Sequence, residues 1–245
     1  MKKILFIFLL TISFKSMSQH LQEVTYFDNK TELNGLITSK TEKNKAAVLI
    51  LPAWMGIDDE AKNAASNLAN KGYLAMIADI YGKGSIPTNV DEARKITTYY
   101  KTNYKEYQHR IQLALDALIK QGADANQIVV IGYCFGGTGA LEAARGNLNV
   151  KGIVSIHGNL TNGLGRNNMI KPNILIENGA DDEMVTVNDI QNFMTEMRES
   201  KAIWQFNNYG NCKHTFTNPA SKDYNEVMSK KSWLDTVEFI QQLIK

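Results

Sequence analysis

Three residues of this chain could together carry acyl transfer: Cys134, Asp182 and His214. Cys134 lies in Gly132-Tyr133-Cys134-Phe135-Gly136-Gly137, straight after the apolar run Gln127-Ile128-Val129-Val130-Ile131 and ahead of Ala140-Leu141-Glu142-Ala143-Ala144-Arg145. The first run reads as a buried parallel strand and the last as a helix. A Gly-X-nucleophile-X-Gly segment between strand and helix is a nucleophile elbow, here with Cys where Ser is more usual. The turn is tight, and side chains at Gly132 and Gly136 would collide with neighbouring elements. A helix N-terminus aimed at the sulfur favours the thiolate. Two phosphate-binding readings fail. Cys134 occupies the middle glycine position of a Gly-X-Gly-X-X-Gly fingerprint, and no Gly-Lys-Ser/Thr follows. A structural buried cysteine in a glycine turn is the remaining alternative.

A thiol nucleophile needs a base, and the base needs an orienting acid. On a nucleophile elbow the expected chain order is nucleophile, acid, histidine. Gly179-Ala180-Asp181-Asp182-Glu183-Met184-Val185 follows the apolar run Ile174-Leu175-Ile176, which places carboxylates beyond a strand end. The spacing Gly-X-X-Asp-X-X-Val favours Asp182 over Asp181, with the Val packing back under the loop. A helix cap at Asp182 is the bland alternative. Of four histidines, His20 and His109 read as solvated, and His157 ends a strand where it could line the site. His214 alone follows the last strand in the required order. An oxyanion hole needs two backbone N–H groups. Phe135, next after the nucleophile, is one candidate. The other is Trp54, in the loop Pro52-Ala53-Trp54-Met55-Gly56, whose ring could instead only wall the pocket.

The elements that must position these residues alternate. Glu23–Phe27 and Leu33–Thr38 form a hairpin about Asp28-Asn29-Lys30, and Lys43-Asn44-Lys45 makes a second turn. Strands follow at Ala46–Leu51, Leu74–Ala78, Gly152–Ile156, Asn173–Ile176 and Ile203–Phe206. Helices are expected from Asp58 or Asp59 to Asn70, over Val90–Gln121 with a break near Thr102-Asn103, over Val187–Glu199 and over Tyr224–Ile244. The alternation predicts an α/β fold, a mostly parallel sheet with helices on both faces and active groups at the strands' carboxyl ends. No internal repeat, low-complexity tract or linker interrupts it.

Hydrophobic residues make up 44% and charged residues 21% of 245, the balance of a globular protein with one core. A formal net charge of +2, without a basic patch, argues against nucleic acid. Residues 1–18 read as a signal peptide: Lys2 and Lys3, the apolar Ile4–Phe14, then Ser16-Met17-Ser18 with cleavage before Gln19. The apolar run is too short to span a bilayer comfortably, although an uncleaved anchor is the alternative. The expected product is a single exported domain, 19–245, periplasmic or secreted, with no membrane attachment and 24 basic against 25 acidic residues. Export raises the question of a bond between the only two cysteines, Cys134 and Cys212, but a domain this size needs no staple.

With these residues placed, the chain resembles the dienelactone hydrolase family, small lidless α/β-hydrolases with a Cys-Asp-His triad. The resemblance rests on Trp54-Met55-Gly56-Ile57-Asp58-Asp59, Ala78-Asp79-Ile80-Tyr81-Gly82, the elbow, Gly179–Val185 and His214-Thr215-Phe216-Thr217-Asn218-Pro219. It implies Cys134 as nucleophile, His214 as base, Asp182 as orienter and the Trp54 and Phe135 N–H groups as oxyanion donors. Tyr81 and Lys83, in the aromatic loop, are the implied substrate-binding residues. No metal or cofactor is implied. The chain departs from the family pattern in three places. Ala53 stands where a Glu helps control the thiol, and Lys83 and Asn218 align with the two arginines of a carboxylate clamp. Lys binds as a point charge without the planar fork of Arg, which argues against a diene lactone acid as substrate. The expected reaction is hydrolysis of an activated small-molecule ester, lactone or thioester through an acyl-thioester. Two alternatives are a non-catalytic ligand-binding relative, suggested by Ala53, and a thiol redox protein using Cys134 and Cys212.

Overall fold

A computed structural model describes residues 21–39, 45–161, 166 and 168–245. The expected signal peptide, His20 and most of the turn at Lys43-Asn44-Lys45 lie outside the described residues. Eight strands form one sheet: β1 Leu21–Asp28, β2 Thr31–Thr38, β3 Lys45–Leu51, β4 Leu74–Ile77, β5 Ala123–Tyr133, β6 Gly152–Ile156, β7 Asn173–Gly179 and β8 Trp204–Tyr209. Their spatial order is β1-β2-β4-β3-β5-β6-β7-β8. The β1–β2 hairpin pairs antiparallel with itself and with β4, and every pairing from β4 to β8 is parallel. Asn29, at φ 52, makes the hairpin's tight turn.

The parallel strands are apolar at successive positions because both faces of the sheet are covered. Along β3, Ala47, Leu49 and Leu51 enter one core, and Ala46, Val48 and Ile50 enter the other. The first core is closed by α2 Val90–Thr102, α3 Tyr104–Lys120, α4 Phe135–Arg145 and α5 Val187–Glu199. The second is closed by α1 Asp59–Asn70 and α6 Glu226–Leu243. Asp58 caps α1 through a bond from Ala61 N–H at 2.9 Å. The expected break in the long helical stretch falls at Asn103. Helix α4 starts five residues before the alanine-rich run that announces it. Its glycine-rich first turn has poor intrinsic propensity, and close packing against β3 and β6 imposes the helix. Buried Arg145 then ties α4 to α5 through Glu196, at 2.7 and 2.6 Å, and to Glu142 at 3.1 Å. Among the described residues no helix is long and apolar enough to cross a membrane.

Candidate active site

Cys134 sits between β5 and α4 at φ 52 and ψ −111. A non-glycine residue there is strained by about 1–3 kcal/mol, so its surroundings must hold it. Close backbone packing at the neighbouring glycines supplies part of that hold. A Cβ on Gly132 would fall 2.0 Å from Gly136 O, and one on Gly136 would fall 2.0 Å from Leu51 O. The glycines thus let α4 begin against the end of β3, with the thiol lifted clear of the sheet.

The chain returns two partners to the sulfur. His214 Nε2 lies 3.1 Å from Cys134 Sγ, and His214 Nδ1 lies 2.7 Å from Asp182 Oδ2. The Asp182 carboxylate is fully buried and also accepts the Met184 N–H at 2.9 Å. Asp181 is exposed on the same turn. The cap of α5 belongs to Thr186, in a reciprocal pair with Asp189, so Asp182 is not spent as a helix cap. Val185 is buried in the core beneath the turn. The acid and histidine loops fit together because β7 ends in glycine: a Cβ on Gly179 would lie 2.5 Å from Cys212 O. Burial opposes a charged His214 ring, but its bonds to Asp182 and Cys134 more than offset this and push it up to about 10. A ring this ready to hold a proton, 3.1 Å from Sγ, suits a base that takes the thiol proton.

The oxyanion candidates lie on the first residue of α4, next after Cys134, and in the loop that continues β3. Among the described residues, neither the Trp54 N–H nor the Phe135 N–H donates to a protein acceptor. The Cys134 N–H, by contrast, is committed to Ile156 O at 3.0 Å and His157 Nδ1 at 3.1 Å. Tyr81 donates its hydroxyl to Trp54 O at 2.8 Å and stacks on Phe135 with ring centroids 5.7 Å apart, so it braces both candidates at once. Its own loop is held by Asp79, which accepts from the Tyr81 and Gly82 N–H groups at 2.9 Å. A cavity of about 120 Å³ opens beside this loop, lined among others by Ala53, Met55, Ile57, Tyr81, Ile86 and Phe135.

Lys83 is placed elsewhere. Its side chain is two-thirds exposed, its ammonium pairs with Glu32 at 3.0 Å, and it is not among the cavity's lining residues. Exchanging Lys83 for Ala is therefore expected to change KM for a neutral ester by less than about twofold, measured by steady-state kinetics. His109 is half-exposed and pairs with Asp28 at 3.2 Å. Cys134 and Cys212 are both free thiols. Cys212 is packed with Tyr209 and Phe216, which leaves the two-cysteine redox reading without its disulfide.

The chain belongs to the dienelactone hydrolase family. The family model "Dienelactone hydrolase family" matches residues 33–244. A solved dienelactone hydrolase-like promiscuous phosphotriesterase from metagenomic libraries superposes with a TM-score of 0.86 at 28% identity, covering 93% of this chain and all of that one. A Bradyrhizobium protein named "Probable 2-oxo-3-(5-oxofuran-2-ylidene)propanoate lactonase" is 24% identical over 80% of this chain and 83% of its own length. A Saccharolobus solfataricus protein named "Putative carboxymethylenebutenolidase" is 20% identical over 91% of this chain and 99% of its own. As a dienelactone hydrolase family member the chain is a carboxylic-ester hydrolase with the α/β-hydrolase fold.

One feature of this dienelactone hydrolase family site is only half legible in the sequence. His157 does sit against the elbow, but through its partners rather than as an open wall. It is 1% exposed, at φ 40, with its ring 5.2 Å from that of His214. Burial, helped by His214, drives it down to about 3. Unfolded, the same ring titrates near 6.5, so between there and about 3 the unfolded chain holds a proton the fold excludes. Stability from this group is present above pH 6.5 and is lost as pH falls toward 3, by up to about 1.4 kcal/mol per pH unit. Denaturant midpoints across that window should fall less steeply for His157→Gln than for the parent.

Proposed function

We propose that this hydrolase cleaves a small, neutral, activated ester or lactone, with Cys134 as nucleophile, His214 as general base and acid, and Asp182 as orienter. The observation that carries the reading is the continuous chain from Sγ through both imidazole nitrogens to a buried carboxylate, at 3.1 and 2.7 Å. The thiol proton passes to His214 Nε2 as Sγ bonds to the carbonyl carbon. Negative charge develops on the carbonyl oxygen, where the N–H groups of Trp54 and Phe135 meet it. Collapse breaks the C–O bond, and His214 gives its proton to the departing oxygen. Water then attacks the thioester, losing a proton to Nε2. The carboxylic acid departs and the thiol is restored.

Substrate class follows from leaving-group chemistry and from the walls of the cavity. A thiolate is itself a good leaving group, so an intermediate with a poor alkoxide or amide collapses back to starting material. An enol, phenol or lactone oxygen competes for departure. The cavity beside the oxyanion loop is mostly apolar, and the one nearby cation at the sequence-aligned position is turned to Glu32. This supports uncharged acyl or leaving groups over carboxylate-bearing ones. Rapid quenching of the protein with p-nitrophenyl acetate should leave an acetyl mass on the peptide that contains Cys134. An acetyl group on any other residue, or none under burst conditions, refutes the assignment.

We also propose that residues 1–18 direct export and that the mature chain begins at Gln19, as the basic, apolar and small-residue regions in succession indicate. N-terminal sequencing of the protein recovered outside the cytoplasm should begin at Gln19, and a chain still beginning at Met1 there would exclude cleavage.

A further inference from the structure

The elbow's strained backbone is gripped by a hydrogen-bond chain from outside the triad. The Cys134 N–H meets His157 Nδ1 at 3.1 Å, His157 Nε2 meets Thr217 Oγ1 at 2.8 Å, and the Thr217 hydroxyl meets Glu60 Oε1 at 2.6 Å. These four residues come from the elbow, the end of β6, the loop that carries His214, and the first turn of α1. The directions of the first two bonds are forced, and the third follows where Glu60 is ionised. A peptide N–H can only donate, so Nδ1 must be bare. The ring then carries its proton on Nε2 and donates to Thr217. Thr217 has one proton, and it goes to the Glu60 carboxyl oxygen. The chain runs one way, from the nucleophile's backbone to an acid on the other face of the sheet.

We propose that His157, fixed in its Nε2–H tautomer by Thr217 and Glu60, is a positioning residue that locks the Cys134 peptide and reserves the Trp54 and Phe135 N–H groups for the oxyanion. Three further observations agree with this role. Cys134 and His157 are both non-glycine residues at positive φ, 52 and 40, so each needs a neighbour that over-determines its backbone. His157 N–H is itself pinned to Glu177 O at 2.8 Å, which fixes the ring's starting point. An uncharged ring 5.2 Å from His214 leaves that imidazole free to take the thiol proton, whereas a second cation there would oppose it. The same chain binds the His214 loop to α1, because Thr217 follows His214 by one turn of that loop. Glu60 ends the chain at the edge of a separate cavity of about 140 Å³ between α1 and α6, where Thr217 also contributes wall. Glu60 is therefore the far anchor of the nucleophile rather than a group that touches substrate.

The inference rests on Cys134 being the nucleophile, and its first test is independent of turnover. Nitrogen-15 NMR of the resting, histidine-labelled protein should show His157 with a pyrrole-type Nε2 and a pyridine-type Nδ1 at neutral pH. The opposite tautomer, or a charged ring, overturns the proposal even if Cys134 is acylated as expected. Kinetics supply the second test. His157→Phe keeps a planar ring without the acceptor and should lower kcat by about 10- to 100-fold, with KM within about twofold. His157→Asn places an acceptor near the position of Nδ1 and should recover most of that loss. Thr217→Val, nearly isosteric, removes the tautomer lock and should lower kcat in the same sense even where the Phe variant folds poorly. Unchanged kcat in Thr217→Val, or an Asn variant as poor as Phe, overturns the proposal. A failed acylation of Cys134 in the parent would instead fault the nucleophile reading while leaving the tautomer result standing.

Discussion

Replacing Cys134 by Ala is expected to lower kcat/KM on an activated ester by about 10⁴- to 10⁶-fold. The proposed mechanism makes the loss this large because its triad works as a unit. Without Sγ, His214 has no proton to take from the nucleophile position, and the N–H groups of Trp54 and Phe135 can only polarise a carbonyl for attack by solvent. Fold should survive, since Cys134 is part-exposed and its backbone bonds to Ile156 and His157 do not involve sulfur. The pair of measurements is steady-state hydrolysis of p-nitrophenyl acetate and a thermal melt. Parent-like turnover in the Ala variant would remove Cys134 from the mechanism. A non-catalytic ligand-binding relative would instead show no turnover in the parent, although Cys134 remained open to alkylation.

The second large effect is expected on stability. Gly136→Ala puts a Cβ 2.0 Å from Leu51 O, 2.5 Å from Leu51 C and 2.7 Å from Pro52 O. All three are backbone atoms of β3 and the loop after it, so no rotamer change relieves them. Helix α4 must move away from the strand. The expected cost is about 3 kcal/mol or more. Whatever folds should also have lost activity, because the shift separates the Phe135 N–H from the Trp54 loop that continues β3. Gly210→Ala is the control: nothing lies within 4 Å of its Cβ position, and its melting temperature should stay close to the parent's. A Gly136→Ala protein that melts with the parent would refute the close-approach account of the elbow.

How much was legible depends on how local the cause was. The elbow could be read because its constraint is local: a strand, a turn and a helix within about twenty residues, with glycines where two backbones must touch. Chain order then singled out His214, and the Gly-X-X-Asp-X-X-Val spacing favoured Asp182 over Asp181, each beyond a strand at the sheet's carboxyl edge. The break at Asn103 and the cap at Asp58 were legible for similar reasons, as both depend on neighbours one turn away. The start of α4 was not. Its first turn is glycine-rich, and packing against β3 and β6 outweighs its low propensity. Lys83 aligned with a binding position, yet its partner Glu32 lies on β2, fifty-one residues away, and the pairing turns the ammonium toward that strand.

The sequence by itself determined the fold class, the glycine-rich turn that carries Cys134, and the chain order Cys134, Asp182, His214. Hydrophobic period and turn chemistry act over a few residues, so they are written in the chain. Only the tertiary structure decided which atoms meet. It turned the buried oxygen of Asp182 to His214 and left Asp181 outside, and it committed the Tyr81 hydroxyl to Trp54. It also joined Glu60 to Thr217 across 157 residues of chain to steady the Cys134 peptide through His157. Contacts of that span depend on how the sheet stacks its strands and where two helices cross its far face. No local pattern in the residues records them.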